Sequence, residues 1–301
     1  MKIISRDVTK YERKYIYDDF VDIEIGLGIP QAERVRYSYV ARENWDVVGY
    51  ASGIISYKWF VLSNMWVKAE HRRNGIGTKL LCMLEEKIKA VGARHVYTWM
   101  ISPDNENDFV WTIGHGNEHF YDKMGYRSYT VIENFFNVEG IHHVGYRKDL
   151  LKLNSISFDD AGSNVCITDK EVTQYEFSRI GELVKQERLN LFPQRKQDKY
   201  SYVFEDNGEV IGYVAGFTNY KWFVLTDMWT KREYRRQGMG SKLLLFLEEQ
   251  VKAAGVRHMY TWTMGRDNAQ YYESLGYECF TVLEDFFDVE GISHIGYRKD
   301  F

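Results

Sequence analysis

The sequence predicts two α/β domains in tandem, each with helices packed on a mixed, partly parallel β-sheet. Two observations predict this fold: the chain of 301 residues is longer than one typical domain, and one unit of strands and helices is written in it twice. Residues 50–99 match residues 213–262 at an offset of 163, with 30 of the 50 positions identical. Two long copies indicate two complete domains rather than a solenoid of short repeats.

The copies also match near their ends, where the offset falls to 151, so the first copy holds 12 additional residues. This insertion lies around residues 103–116, where we expect it to cover, fill or reshape a first cleft, or to form a dimer contact. A polar, turn-rich stretch over residues 151–162 is typical of a linker. The predicted domains are therefore residues 1–150 and 163–301.

The elements follow in the same order in each copy. Alternating or short apolar runs predict strands over residues 46–55 and 209–217, followed by two shorter strands in each copy. Residues 78–91 carry leucines and an isoleucine at helical spacing, and Gly92 ends this helix. A further strand starts at His95, and a second helix and two β-rich segments close each copy. Strands mixed with one-sided helices predict layered domains.

The composition excludes several function classes. A net charge of −4 argues against nonspecific nucleic-acid binding, which needs a strong positive field. The three cysteines are scattered, without a CxxC pair or a histidine at metal-ligand spacing, so we expect reduced thiols and no metal site. The sequence has no signal-peptide pattern and no apolar run of membrane-span length, so we expect a cytoplasmic protein without a membrane partner.

An arginine- and glycine-rich turn stands between a strand and a helix in both copies, around residues 72–77 and 235–240. Such a turn exposes backbone N–H groups at the positive end of a helix dipole, which is an anion site. The two glycines of each turn let the backbone approach a ligand with no Cβ in the way. The alternative is a tight connection whose arginines are simply solvated.

The order of strand, Arg-x-x-Gly-x-Gly turn, amphipathic helix, strand and Asn-x-x-x-Tyr segment resembles the GNAT superfamily of acyl-CoA-dependent N-acetyltransferases. The last segment runs from Asn117 to Tyr121 in the first copy and from Asn268 to Tyr272 in the second, each followed by Gly-Tyr. Both motifs recur in both halves and in the same order, so the resemblance covers nearly the whole chain. The dinucleotide-binding GxGxxG and Walker A patterns are absent.

The resemblance implies that each turn cradles the pyrophosphate of acetyl-CoA, and that a backbone N–H of the strand before it polarises the thioester carbonyl. The implied cofactor-binding residues are Met228, Trp229, Thr230, Arg235, Arg236, Gln237, Gly238, Met239, Gly240, Ser241 and Asn268 in the second copy, and Met65, Trp66, Val67, Arg72, Arg73, Asn74, Gly75, Ile76, Gly77, Thr78 and Asn117 in the first.

The resemblance also implies Tyr272, and Tyr121 in the first copy, as the acid that protonates the departing thiolate. The alternative is that both tyrosines only pack on their helix. Asp227 is the first candidate for the base and Glu284 the second. Asn64 replaces Asp227 in the first copy, and an amide cannot take a proton from an ammonium, so the second copy is expected to be the working one.

Other differences between the copies leave alternatives open. Asp285 and Asp288 also face asparagines in the first copy, and free interchange of Asp and Asn at the surface is the competing explanation for all three positions. His143 and His294 stand in matched Gly-Ile-x-His-x-Gly-Tyr contexts. A base role is conceivable for them, but we expect both histidines to be structural.

The expected function is transfer of an acetyl group from acetyl-CoA to a primary amine of a small molecule, by direct attack in a ternary complex. An acidic second half and many tyrosines favour a small cationic amine as acceptor. The alternatives are acetylation of a protein N-terminus or lysine, and a CoA-binding regulatory or scaffold protein without transfer activity. We expect either a monomer with two pseudo-dimeric domains or a homodimer.

Overall fold

The structure of the chain, a computed structural model, describes residues 1–31, 33–98, 118–132, 143–152, 165–189 and 197–301. The insertion around residues 103–116 and the predicted cofactor residue Asn117 lie outside the described residues.

Strands and helices alternate along both copies. The strands are β1 (Lys2–Ser5), β2 (Val35–Glu43), β3 (Asp46–Ser56), β4 (Trp59–Val67), β5 (His95–Thr98), β6 (Arg127–Ile132), β7 (His143–Asp149), β8 (Val165–Thr168), β9 (Lys199–Asp206), β10 (Glu209–Asn219), β11 (Trp222–Thr230), β12 (His258–Met264), β13 (Glu278–Leu283) and β14 (His294–Asp300). The helices are α1 (Lys10–Gly26), α2 (Ile76–Ala90), α3 (Glu118–Lys123), α4 (Gln174–Leu189), α5 (Met239–Ala253) and α6 (Arg266–Ser274). Within these described ranges, no helix combines the length and the apolar character that a membrane span requires.

The described strands form two mixed sheets of seven strands each. One has the order β1-β9-β10-β11-β12-β14-β13, and the other the order β8-β2-β3-β4-β5-β7-β6. The pairs β11–β12 and β4–β5 are parallel, whereas the other neighbours are antiparallel. The apolar face of α5 packs on the first sheet and that of α2 on the second. The predicted fold class, α/β with a mixed sheet in two copies, is confirmed.

The two compact units exchange their first strand and helix. Unit 1 is defined here as residues 1–31 with 197–301, and unit 2 as the described residues between 33 and 189. In unit 1, β1 pairs with β9, and in unit 2, β8 pairs with β2. The compact units therefore do not coincide with the predicted domains 1–150 and 163–301, because each half contributes its first strand and helix to the sheet of the other half.

Charges where each exchanged segment meets its sheet favour the observed pairing of segment and sheet. Arg6 pairs with Glu205 on β9 at 2.8 Å and with Glu12 on α1 at 2.9 Å. The position of β2 that corresponds to Glu205 holds Arg42, which pairs with Glu176 on α4. Without the exchange, Arg6 would face Arg42, and Glu176 would face Glu205. Like charges repel, so the observed pairing is the favourable one.

A matched hydrogen bond ties each exchanged segment to its sheet. The Tyr213 hydroxyl donates to Asp7 at 2.7 Å in unit 1, and the Tyr50 hydroxyl donates to Glu171 at 2.9 Å in unit 2. Burial raises the pKa of both tyrosines well above the usual value for a phenol. Both hydroxyls therefore remain protonated donors, and each keeps a strand of the central sheet bound to the segment that covers it.

Candidate active site

The cleft of unit 1 opens where two parallel strands separate. β11 and β12 pair only over residues 222–225 and 258–261, although β11 continues to Thr230. Thr226 is an extra residue in the pairing of β11 with β10, and such a bulge bends the strand. The gap belongs to a cavity of ≈1380 Å³. Beyond residue 225, the backbone groups of β11 that face β12 have no ladder partner in the described sheet.

Each glycine turn leads directly into the main helix of its unit. Gly238 precedes α5 with a φ of 77°, in the left-handed region that side-chain-bearing residues rarely adopt, and Gly75 precedes α2 with a φ of 78°. In neither turn does a side chain cap the first helical N–H groups. These groups and the helix dipole are the elements from which protein anion sites are built.

Polar atoms surround the first turn of α5. A Cβ built on Gly240 would lie 3.2 Å from Met228 Cε, 3.2 Å from Thr230 Oγ1 and 3.4 Å from the Tyr271 hydroxyl. A side chain at residue 240 would therefore fill the space between the helix and β11. The Tyr271 oxygen is buried and makes no hydrogen bond of ordinary geometry among the described residues, although Ser241 is near enough to lower the pKa of Tyr271 against the larger, raising effect of burial. A buried hydroxyl without a partner is energetically costly, so this atom is available to a ligand.

The same place in unit 2 is apolar. A Cβ built on Gly77 would lie 3.3 Å from Met65 Cε, 3.5 Å from Val67 Cγ2 and 3.8 Å from Phe120 Cε2. Val67 corresponds to Thr230 of unit 1, and Phe120 corresponds to Tyr271. Both hydroxyl groups of unit 1 are thus replaced by hydrocarbon in unit 2.

The arginines of the turns are held by the protein itself. Arg235 Nε donates to the carbonyl of Thr230 at 2.8 Å, and its guanidinium also pairs with Asp19 on α1. Asp19 accepts a second hydrogen bond from Trp229 Nε1 at 2.6 Å. Trp229 therefore turns toward α1, and only its backbone is placed to serve the predicted cofactor role. Arg72 repeats the backbone hydrogen bond of Arg235 at 2.8 Å in unit 2.

The tryptophan of unit 2 lacks this carboxylate. Trp66, the counterpart of Trp229, is buried, and its Nε1 has no hydrogen-bond partner among the described residues. The capping residues Thr9 of α1 and Thr173 of α4 align the two helices. In this alignment, Leu183 of unit 2 occupies the position of Asp19 in unit 1. The contact between helix and turn that exists in unit 1 therefore has no charged equivalent in unit 2.

Tyr272 lies in the wall of the cleft, at the point where the strands diverge. It is buried on α6, and its ring stacks on Tyr297 with centroids 5.8 Å apart. Burial raises the pKa of Tyr272 to about 12, although a hydrogen bond with Thr261, the last paired residue of β12, opposes this rise. Tyr121 is also buried and stacks on Tyr146 at 5.1 Å.

Asp227 lies beside the cleft and is not part of its wall. This half-buried carboxylate accepts a hydrogen bond from Thr226 Oγ1 at 2.7 Å. Its charge is one of several that raise the pKa of Arg13 on α1, against the lowering effect of burial. Its counterpart Asn64 is fully enclosed and donates to Ser52 Oγ at 3.0 Å. The two residues therefore differ in environment as well as in charge.

The remaining acidic candidates lie in a turn after β13. Glu284 is exposed, and Asp285 and Asp288 have φ values of 49° and 59°. Aspartate and asparagine tolerate this left-handed conformation better than most residues do. The backbone requirement explains why both types occur here, which favours interchange over catalysis as the reason for these aspartates. The counterparts Asn134 and Asn137 lie outside the described residues.

An aromatic cluster around His294 forms another part of the wall. The imidazole centroid lies 4.7 Å from that of Trp262, 4.8 Å from Phe286 and 5.7 Å from Phe287. His294 Nδ1 is buried without a hydrogen-bond partner among the described residues. Burial lowers the pKa of His294 to about 4, so the ring is neutral at pH 7.

Comparison with known proteins identifies the fold of each copy. Residues 35–128 match the acetyltransferase (GNAT) domain, and residues 167–277 match the acetyltransferase (GNAT) family. The two matches fall one in each copy. The chain belongs to the GNAT family of acetyltransferases. It is a tandem GNAT protein and an acyltransferase, as the sequence motifs predict.

Each of the following three relatives matches less than half of the chain. An acetyltransferase of Agrobacterium fabrum (strain C58) is 29% identical over 118 residues, which cover 39% of this chain and 77% of the relative. The structure of an acetyltransferase from Bacillus cereus ATCC 14579 is 22% identical and covers 44% of this chain and 97% of that one, with a TM-score of 0.41. An acetyltransferase from Bacillus anthracis in complex with acetyl coenzyme A is 16% identical and covers 35% and 64%, with a TM-score of 0.32.

Most of the predicted cofactor residues of the second GNAT copy meet at this cleft. Asn268 also holds the start of α6, since its side-chain amide donates to the carbonyl of Met264 at 2.9 Å. Gln237 instead bonds the carbonyl of Glu233 at 2.7 Å, outside the wall. The predicted residues that line the cleft are Met228, Trp229, Thr230, Arg235, Arg236, Gly238, Gly240, Ser241, Asn268 and Tyr272.

The GNAT motifs do not reveal two parts of the wall. Phe20 and Ile23 of α1 line the cleft together with Leu27, the residue that follows the helix, at the spacing of one helix face. They reach the second GNAT copy only through the exchange, for which the charge reversal between Arg42 and Glu205 is the signal in the sequence. The aromatic cluster at His294 was also missed, because its repeated sequence context indicates a shared role but not a position in a cleft.

Proposed function

We propose that unit 1 transfers an acetyl group from acetyl-CoA to a primary amine of a small molecule, and that unit 2 is a noncatalytic partner. The observation that carries the proposal is the pair of hydroxyl groups, Thr230 and Tyr271, beside Gly240. Unit 2 offers only hydrocarbon at the corresponding place. A cosubstrate rich in phosphate and amide groups needs hydrogen-bonding partners where it enters the protein.

The residues of unit 1 fit acetyl-CoA. The uncapped N–H groups after Gly238 suit a pyrophosphate, Gly240 leaves the space that a Cβ would fill, and Tyr271 supplies an unsatisfied hydroxyl. When bound, acetyl-CoA supplies the thioester whose acetyl group is transferred. The backbone N–H groups of β11 beyond the end of its pairing with β12 are the candidates to polarise its carbonyl.

Tyr272 and Asp227 are assigned to proton transfer, and His294 to binding of the amine. Tyr272 carries its proton at neutral pH and donates it to the departing thiolate. His294 is neutral and accepts a hydrogen bond from the attacking amine, but a pKa of about 4 makes it a weak base. Asp227 beside the cleft remains the candidate that takes the amine proton, through water. Glu284 is exposed outside the wall, which makes it the weaker candidate.

Direct attack of the amine in a ternary complex agrees with the environment of the cysteines. Cys82 is buried in α2 of unit 2, and burial raises the pKa of its thiol to about 11. A thiol in that state is a poor nucleophile. Cys166 and Cys279 are exposed, and neither belongs to the wall of the unit 1 cleft. An acyl-cysteine step therefore has no support in the described part of the chain.

Calorimetric titration with acetyl-CoA tests the proposal. We expect one equivalent to bind the wild type, Gly240→Asp to abolish binding by placing a carboxylate in the cradle, and the matched Gly77→Asp to leave it intact. Two bound equivalents, of which each variant removes one, would contradict the inactive role of unit 2. Absence of binding would refute the use of acetyl-CoA. Binding of acetyl-CoA without transfer to any amine would favour a regulatory or scaffold protein. Transfer only to peptides would favour an enzyme that acetylates proteins.

A further inference from the structure

Away from the glycine turn, the described wall of the unit 1 cleft combines apolar side chains with uncharged polar ones. On one side, α1 and the residue that follows it contribute Phe20, Ile23 and Leu27, and on another, Trp262 and Phe287 contribute aromatic rings. These five side chains line the same cavity as Tyr272 and Thr226, which mark the place where the strands diverge. An acceptor that reaches this place therefore meets a large apolar surface, and the polar groups beside it, such as Thr263 and Gln270, carry no charge.

The charges in this wall have a single sign. Its described residues include the three arginines 232, 235 and 236, all at the glycine turn, and no aspartate or glutamate. Asp19 on α1 is already bonded to Trp229 and Arg235, and Asp227 to Thr226. A second ammonium group of an acceptor would thus be desolvated without a carboxylate in the wall to pair with, which is strongly unfavourable.

One amine, by contrast, has suitable partners. The neutral imidazole of His294 offers a hydrogen-bond acceptor, and the aromatic side chains of Trp262 and Phe287, which line the same wall, can attract a cation as it approaches. The rest of such a ligand would gain by leaving water, at about 25 cal/mol for each Å² of apolar surface buried. The site therefore suits a molecule with one ionisable amine and a bulky apolar remainder.

We infer that the acceptor of unit 1 is a primary amine with a single ionisable group, carried on an aromatic or bulky apolar body, and not a polyamine, an amino sugar or a peptide. This inference rests on the proposed function of unit 1. It narrows the small cationic amine expected from the acidic second half, because that excess of acidic residues does not extend into the described wall of the cleft.

Release of CoA, measured at saturating acetyl-CoA, tests the inference with 2-phenylethylamine, spermidine and kanamycin as acceptors. We expect kcat/KM for 2-phenylethylamine to exceed that for either polycation at least tenfold. A tenfold preference for spermidine or kanamycin would overturn the inference. If acetyl-CoA binds but no amine is acetylated, calorimetry on the CoA-loaded protein decides: binding of 2-phenylethylamine supports the inference, and binding of spermidine alone, or of neither amine, overturns it.

A matched pair of variants on α1 locates the effect. Ile23→Asp places a carboxylate in the wall and is expected to lower kcat/KM for 2-phenylethylamine at least tenfold, with unchanged acetyl-CoA affinity. Ile25→Asp changes the same residue type on the same helix, at a position that is exposed and outside the wall, and should leave the rates unchanged. Equal rates for wild type and Ile23→Asp would contradict the inference. Failure of the wild type to bind acetyl-CoA would instead refute the proposed function.

Discussion

The glycine turn and its surroundings have the same backbone geometry in the two units but differ in chemistry. Both have the bulged central strand, the left-handed glycine before the main helix and a stacked, buried tyrosine on the following helix. Around the first turn, however, Thr230 and Tyr271 of unit 1 face Val67 and Phe120 of unit 2. Preservation of the fold therefore does not preserve the chemistry of this place, and in the proposed function the hydrogen-bonding groups favour unit 1 as the copy that holds acetyl-CoA.

A second difference lies in what covers each sheet. Asp19 of α1 links Trp229 to Arg235 in unit 1, whereas Trp66 of unit 2 has an unsatisfied indole N–H. The exchanged helix of unit 1 thus connects the wall of the cleft to the turn that we assign to acetyl-CoA. The chemical difference between the two units therefore extends into the exchanged segments and is not confined to the motifs.

The largest expected effect on kcat comes from Tyr272, one of the two stacked tyrosines. Tyr272→Phe removes the proposed acid and should lower kcat about a hundredfold or more, since acid catalysis typically contributes 10²–10⁴-fold. The matched Tyr121→Phe changes the same residue type in unit 2 and should leave kcat unchanged. Steady-state kinetics with acetyl-CoA and 2-phenylethylamine measures both. A comparable loss in the two variants would show that unit 2 also takes part in catalysis.

The next effect concerns stability against acid. The folded-state pKa of His294 is about 4, below the ordinary value of 6.5, so the unfolded chain binds a proton in a range where the folded unit does not. Neutral His294 makes its full contribution to the free energy of unfolding above pH 6.5, and this contribution is lost as the pH falls from 6.5 to 4. At about 1.4 kcal/mol for each pH unit, the loss amounts to about 3 kcal/mol.

Denaturant unfolding of the wild type and of His294→Phe across this pH range measures that contribution. The substitution keeps an aromatic ring among Trp262, Phe286 and Phe287 but removes the titrating group. The unfolding free energy of the variant should therefore depend less steeply on pH. Identical slopes for the two proteins would show that His294 titrates normally and that the cleft around it is solvated.

Local motifs could be read from the sequence because their chemistry depends on neighbouring residues. The glycine turn is defined by positions only a few residues apart, and it adopts the expected strand-to-helix geometry at Gly75 and Gly238. The spacing from Asn268 to Tyr272 likewise places both residues on α6 at the cleft. The fold class followed from the same local periodicities, summed over two copies.

The exchange and the apolar wall depend instead on contacts between distant residues. Both first strands satisfy their backbone hydrogen bonds equally well in either sheet, so strand patterns alone cannot choose between them. The choice rests on side-chain pairs such as Arg6 with Glu205, which only the folded structure brings together. For the same reason, Phe20 and His294 could not be assigned to one cavity from sequence spacing.

A smaller effect is expected for the proposed base. Asp227→Asn keeps the shape of the side chain but removes its capacity to take a proton, and should lower kcat/KM at least tenfold with little change in acetyl-CoA binding. Asp288→Asn is the matched control, because its left-handed backbone tolerates asparagine and it lies outside the wall. Full activity of Asp227→Asn would exclude Asp227 as the base and leave deprotonation of the amine to solvent.

The smallest expected effect tests the difference between the units most directly, because the substitution gives unit 1 the side chain that unit 2 has at the same position. Tyr271→Phe removes the buried, unpartnered hydroxyl near Gly240 and introduces the side chain that Phe120 provides in unit 2. If acetyl-CoA satisfies this hydroxyl, the variant loses one hydrogen bond, and the Kd should rise about tenfold, equivalent to about 1.4 kcal/mol.

The same variant separates this role from a structural one. Without acetyl-CoA, Tyr271→Phe should be at least as stable as the wild type, because it removes an unsatisfied buried polar atom. Weaker acetyl-CoA binding together with undiminished stability therefore identifies the hydroxyl as a ligand-binding group. Unchanged affinity would mean that the Tyr271 hydroxyl does not distinguish the two units, and the preference for unit 1 would then rest on Thr230 and Asp227.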